Sequence, residues 1–280
     1  MPAIVESIAE DIHTALAKDQ LDMPSLPEVA LEIRDAAESE HVSAVSLAAV
    51  VSKDPGLAAQ IVRVANSPMF RATRSIDDLS MAISRLGVEY AANVVTGLAM
   101  QQMFQATSDL VDSRMREVWR NSSSVAAWSS ILATQYTRLR PDQAMLAGLT
   151  HCIGVLPILS WVEENDTVVR DSLTLDKVIE TLHPTLGTMI LKHWNFPPEL
   201  TAVPENYLDL ERDDVEVADY VDVVCVANLL SLMDTDHPLL DDDAWRTAPA
   251  FDRLGFDAEM DDLEREALLE QVGSVNDAFG

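Results

Sequence analysis

An all-α fold is predicted by three features of this 280-residue chain. Glycine (9 residues) and aromatics (5%) are scarce, while Ala, Leu, Met and the acidic residues, mostly good helix formers, are abundant. Apolar residues recur three and four positions apart in one segment after another. A hydrophobic content of 48% is enough to bury one large core or two joined ones.

The elements follow in order. Ile4, Val5, Ile8, Ile12 and Leu16 mark an amphipathic helix that ends before Leu21 and packs on the main body. Ser25 is placed to cap the next helix, entered through Pro27 and Glu28, which buries Val29, Leu31 and Ile33 in part. Two helices split at Lys53-Asp54-Pro55-Gly56, where Asp54 caps and Pro55 opens the second; Ile61, Val62 and Val64 face inward and Asn66-Ser67-Pro68 stops it. IDDLSMAISRLG halts at Gly87, and a longer helix runs through VEYAANVVTGLAMQQMF. The polar stretch QATSDLVDS then joins this first layer to a second helical run. That run comprises MREVWRNSSSVAAWSSILATQY, AMLAGLTHCIGVLPILSWV, LDKVIETLH, PTLGTMILKHW and VEVADYVDVVCVANLLSLM. DTDHPLLDDDAW reads as an acidic linker, and DAEMDDLEREALLEQV as one last amphipathic helix. The organisation is therefore an N-terminal helix (1–21), a main domain (22–232, divided into 22–110 and 111–232) and an acidic C-terminal segment (233–280).

The formal net charge of −28, with no Lys/Arg-rich stripe, would repel a polyphosphate and argues against nucleic-acid binding. Acidity is concentrated at one end: residues 1–199 hold 25 acids and 15 bases, residues 200–280 hold 22 and 4. This end is a solubilising surface, an adaptation to salt or a docking surface for a basic partner. Cys152 and Cys225 stand in apolar contexts without CxxC spacing, which suggests neither a zinc knuckle nor a disulfide and points to a reducing cytoplasm. The N-terminus lacks a basic n-region, and the apolar stretches read as too short, or broken by Pro157, to span a membrane.

Several segments taken together resemble the HDOD family, the HD-related output domain of bacterial signalling proteins, over roughly residues 22–232. They are LPEVALEI, KDPGLAAQIVRVANSPMF, ISRLGVEYAANVV, VWRNSSSVA, AGLTHCIGVL and HPTLGTMILKHWNFP. Asp54-Pro55, Asn66-Ser67, Leu86-Gly87, Gly148, His151, Gly154, His183, Gly187, Trp194 and Pro197 fall in the family's order. The resemblance implies two packed helical subdomains, the second an HD-like bundle. The parent HD superfamily converges His and Asp ligands on one or two metal ions that activate water against a phosphoester. Position by position, this chain departs from that set. The first His falls near Asn121-Ser122, the His-Asp dyad is His151-Cys152, a third ligand survives as His183, Val203-Pro204 stand where a later His pair belongs, and Asn228 takes the place of the last Asp. Asp222 lies six residues from Asn228, about 240° around the helix, and cannot substitute on the same face. The remnant is a degenerate site at His151, Cys152, His183 and Asn228. Its histidines either join a hydrogen-bonded, remodelled core or, with Cys152, form a trio suited to a soft or borderline ion.

His151 and Cys152, adjacent on a helix and about 100° apart, do not make a nucleophile and base. No GxSxG, P-loop or strand-linked GxGxxG is present. Trp119, Trp128, Trp161 and Trp194 read as packing residues, and His13, His41, His193 and His237 as surface residues. The reading is a non-enzymatic signal-transduction adaptor or regulator in the cytoplasm. It acts through contacts with other signalling proteins, with no cofactor or metal, no nucleic acid and no membrane, and with its oligomeric state open. The alternatives are a divergent HD-type metal-dependent phosphohydrolase and a nucleotide sensor that uses the remnant pocket. No receiver, GGDEF or EAL segment is visible, so the chain is expected to be recruited by its partners.

Overall fold

The structure is a computed structural model and describes residues 2–70, 75–165, 172–233, 235, 237–240, 243–260 and 262–279. Its elements among these residues are helical, with no strand.

The first half is a layer of short helices, each ended by a local signal. Helix α1 (Pro2–Ala17) is followed by α2 (Glu28–Glu38), α3 (Ala44–Val51), α4 (Pro55–Ala65), α5 (Leu79–Leu86) and α6 (Val88–Ala99). Asp54 caps α4 by accepting from the amides of Gly56 (2.8 Å) and Leu57 (3.1 Å), with Pro55 in the first turn where its missing N–H costs nothing. Asn66 closes α4, and its carboxamide pairs both ways with the Ile76 backbone, at 2.7 and 2.8 Å. Gly87 has φ +87° and serves both as the end of α5 and the start of α6, a conformation that a β-carbon would strain. Two expectations fail in α2. Ser25 caps nothing, because the helix opens at Pro27 without a side-chain cap, and Leu31 is 46% exposed while Ala30 and Ile33 are buried. Residues 29, 31 and 33 are spaced two apart, about 200° per step on a helix, so the three cannot share one inner face.

The second half is built on α7 (Asp109–Tyr136), a 28-residue helix capped by Ser108. Around it lie α8 (Pro141–Thr150), α9 (Val155–Glu164) and α13 (Tyr220–Leu232). Helix α10 (Ser172–His193) packs on α9 and α1, and the short α11 (Pro198–Thr201) and α12 (Val203–Asn206) cover it. The sequence suggested two helices in place of α10, but it runs on through Pro184. An interior proline costs about 3 kcal/mol. Burial of Leu175, Val178, Leu182, Leu186, Ile190 and Leu191 along one side outweighs that cost.

The two halves are joined by polar contacts as well as by a shared core. Arg34 on α2 donates to the Trp194 carbonyl (2.8 Å) and lies over the Phe196 ring, while the Trp194 indole N–H donates to the Pro24 carbonyl (3.0 Å). Asn93 on α6 donates to the buried Asp142 of α8 (2.7 Å).

Residues 243–260 and 262–279 fold onto this body. Helix α14 (Pro249–Leu254) packs on α13, and α15 (Asp262–Phe279) packs on α7 and α4. Asp222, 1% exposed on α13, accepts from Arg253 of α14 at 2.7 and 2.9 Å and from Arg212 at 3.2 Å. The stretch read as an acidic linker contains Asp234, Asp236, Asp241 and Asp242, which lie outside the described residues. The rest of it includes 3₁₀ turns at Pro238–Leu240 and Asp243–Thr247, with Trp245 buried. Pro141–Glu164 is, by length and composition, apolar enough to cross a membrane, contrary to the expectation that Pro157 breaks it; 89% of that window is buried inside the fold.

Gly154 is where α9 meets α10. A β-carbon there would lie 2.1 Å from the His183 carbonyl oxygen and 2.5 Å from the Gly187 amide nitrogen, backbone atoms that cannot swing aside. Gly154→Ala is therefore expected to cost about 1–3 kcal/mol or more, read as a lower urea midpoint. Gly273→Ala on α15, where a β-carbon meets nothing within 4 Å, is the matched control and should leave stability equal or raised.

Candidate functional site

The remnant site is assembled from three places in the chain. His151 and Cys152 lie in the turn between α8 and α9, His183 lies in mid-α10, and Tyr207 follows α12. All four are buried, at 1%, 7%, 4% and 5% exposure.

Backbone carbonyls set the imidazole tautomers. His151 Nδ1 is 2.6 Å from the Gly148 carbonyl and His183 Nδ1 is 2.7 Å from that of Ile179. A carbonyl only accepts, so each Nδ1 carries the proton and each Nε2 presents a lone pair. The same arrangement orients a metal-binding histidine. Here the lone pair of His183 Nε2 accepts the Tyr207 hydroxyl at 3.0 Å. The Tyr207 ring meets the His151 ring edge-to-face at 4.8 Å, and that of His183 at 6.0 Å. The phenol thus lies against both histidines.

Ser122 of α7, fully buried, faces Cys152 with its Oγ 3.0 Å from the Sγ. Of the Asn121-Ser122 pair, the serine is the one that points at the dyad. Val203 is fully buried, and Pro204 packs against Gly187. Asn228 is buried on α13, and its side chain makes no hydrogen bond to the His151–His183–Tyr207 group.

The site is electrically neutral at pH 7. Burial lowers His151 and His183 to about 4, partly countered in each by its carbonyl hydrogen bond. Burial raises the thiols of Cys152 to about 11 and Cys225 to about 12, and the Tyr207 phenol well above its ordinary value.

These residues do not fit the metal that HD-type hydrolysis requires. The donor atom of His183 is already used by Tyr207, the carboxylate of the dyad is replaced by a protonated thiol, and a hard cation would find no oxygen anion. Among the described residues, no group of three or more His, Cys, Asp or Glu side chains is arranged to hold an ion. Tyr207 was not singled out in the sequence. It stands in an irregular segment without periodicity and meets His183 from 24 residues away.

Fold and site together define an all-α protein with an HD-like helical bundle. The HDOD domain model matches residues 23–207, and the chain belongs to the HDOD domain family. A structure described as a proposed metal-dependent phosphohydrolase from Shewanella amazonensis superposes with a TM-score of 0.87 at 24% identity, covering 99% of this chain and 100% of that one. An HDOD domain protein of unknown function from Geobacter sulfurreducens gives 0.65 at 18% identity over 98% and 96% of the two chains. A proposed signal transduction protein from Marinobacter aquaeolei gives 0.63 at 22% identity over 98% and 66%. At these identities the likeness establishes the fold. An uncharacterized protein of Treponema pallidum is 23% identical over 232 residues; the match spans 78% of this chain and 44% of that protein.

The two histidines generate a specific pH dependence. Their folded-state values lie below the ordinary 6.5, so the unfolded chain binds their protons first. The stability they support is present above pH 6.5 and is lost as pH falls toward 4, by up to about 1.4 kcal/mol per pH unit for each histidine. In urea titrations at successive pH values, His183→Asn should show a shallower loss between pH 6.5 and 4 than the wild type.

Proposed function

We propose that this chain is a non-catalytic signal-transduction adaptor or regulator that works through contacts with other proteins. The observation carrying this reading is the Tyr207 hydroxyl on His183 Nε2 at 3.0 Å, with the phenol ring packed on His151. Where an HD enzyme needs open donor atoms and a water to activate, this fold has a closed, uncharged packing of Tyr, His and Cys. What remains useful is a rigid two-part helical body, consistent with membership of a family whose structural relatives include a proposed signal transduction protein. A cytoplasmic setting agrees with two buried cysteines, both free.

The reading is tested with bis-p-nitrophenyl phosphate and with cyclic dinucleotides in the presence of manganese, iron or zinc. Wild type and Cys152→Asp should both give rates indistinguishable from buffer with metal, because restoring one carboxylate leaves His183 engaged by Tyr207. Metal-dependent turnover by the wild type, or its gain through Cys152→Asp alone, would make phosphoester hydrolysis the function.

A further inference from the structure

Helix α15 is held to the body more lightly than the helices before it. From Leu263 to Asp277 three side chains are buried, Leu268, Val272 and Val275, and nine are exposed. In α13, by contrast, eleven of thirteen residues are buried. Helix α14 is anchored by Ala250, Phe251 and Leu254 and by the Arg253 guanidinium on the buried Asp222. The cost of local opening follows the apolar contacts that must be broken, so α15 opens more readily than α13 or α14.

The same helix bridges both halves of the molecule. It packs on α7 in the second half and on α4 and the 3₁₀ turn Pro68–Phe70 in the first. Gln135 of α7 donates to Gln271 at 2.8 Å, at an exposed position. Toward its C-terminal end Asn276 and Asp277 border an open cleft of about 1110 Å³ whose other walls include Phe104, Arg116 and Trp119, so these last turns are flanked by space as well as by packed side chains. Gly273 lies inside the helix, and a β-carbon there would meet nothing within 4 Å. No close approach requires a glycine at this point, and its effect is to weaken the helix. Away from the body such a helix has little stability of its own, since most helical stability in proteins comes from tertiary packing.

The joint is also defined. Gly255 ends α14 with φ +66°, Phe256 is buried edge-to-face on Tyr136 at 5.0 Å, and the Ala258 carbonyl accepts from Arg246 at 3.2 Å. The chain is thus fastened as far as Ala258, and α15 begins shortly after, at Asp262. We infer that α15 is a releasable clasp: it opens as a unit about the segment after Ala258 while α13 and α14 stay folded, and when closed it ties the two helical layers together. Opening bares Leu268, Val272 and Val275 together with the faces of α4 and α7 on which α15 packs. For the adaptor reading, on which this last consequence alone rests, those faces suit an amphipathic helix of a partner whose apolar residues are spaced as these three are.

Amide hydrogen exchange of the full chain, followed by mass spectrometry at neutral pH, tests the clasp. Protection in 262–279 should be at least about 100-fold lower than in α13, yet above that of an unfolded chain. Gly273→Ala should raise protection in α15 by about fivefold and leave α13 and α14 unchanged. Val272→Asp should abolish protection in α15 alone. Exchange of α15 in step with α13, protection absent from α15 in the wild type, or loss of α13 and α14 protection in Val272→Asp would each overturn the inference. None of these outcomes bears on hydrolysis, so the adaptor reading stands or falls by its own assay.

Discussion

The close approach of the α8–α9 turn to α10 is the constraint from which the rest of the site follows. Gly154 brings its backbone against the His183 carbonyl and the Gly187 amide, closer than any side chain would permit, and Gly187 in turn admits Pro204. These contacts fix the separation between the turn carrying His151-Cys152 and the helix carrying His183. Pro204 on Gly187 then sets the path of α12, which delivers Tyr207 onto both imidazoles. The two histidines are brought together, and a phenol lies against both.

Charge is distributed consistently with that outcome. The chain carries a formal −28, yet the buried carboxylates among the described residues are partnered: Asp222 with Arg212 and Arg253, and Asp142 with Arg140 and Asn93. Both pairs work at helix junctions. Asp222 ties α14 to α13 and also takes part in the N-terminal capping box of α13, so it has no free oxygen to lend to the remnant site. The interior around His151 contains no anion, and burial keeps its histidines, thiols and phenol in their neutral forms. The packing is held by local partners: Gly148 O for His151 Nδ1, Ile179 O for His183 Nδ1, the Tyr207 hydroxyl for His183 Nε2 and Ser122 Oγ for Cys152.

Much of this was legible in the sequence where the cause is local. Asp54-Pro55, Asn66 and Gly87 declare helix boundaries through capping and φ, and the structure places those boundaries where they stand. The order of the glycines and histidines carried the HDOD resemblance, read over roughly residues 22–232, and the family match covers residues 23–207 of it. Local rules failed where tertiary contact decides. Pro184 does not divide α10, because burial on both sides of it holds the helix together, and Ser25 is displaced from its capping role by Pro27. Tyr207 gave no pattern to read, and the tie from Asp222 to Arg253 gave none either, since their partners lie 24 and 31 residues away. The remaining clue was indirect: the histidine pair expected near Val203-Pro204 was missing, and whatever lay next to that segment had to fill the space.

The most direct test of this account is metal binding by the purified, untagged chain after incubation with manganese, iron or zinc, followed by desalting and elemental analysis. An HD hydrolytic centre cannot act without its ions. The account predicts only trace metal in the wild type, well below one equivalent, because His183 is engaged by Tyr207 and the dyad supplies a protonated thiol. One or two tightly held equivalents that are lost on substitution of His151 or His183 would contradict it and establish the pocket as a working metal centre.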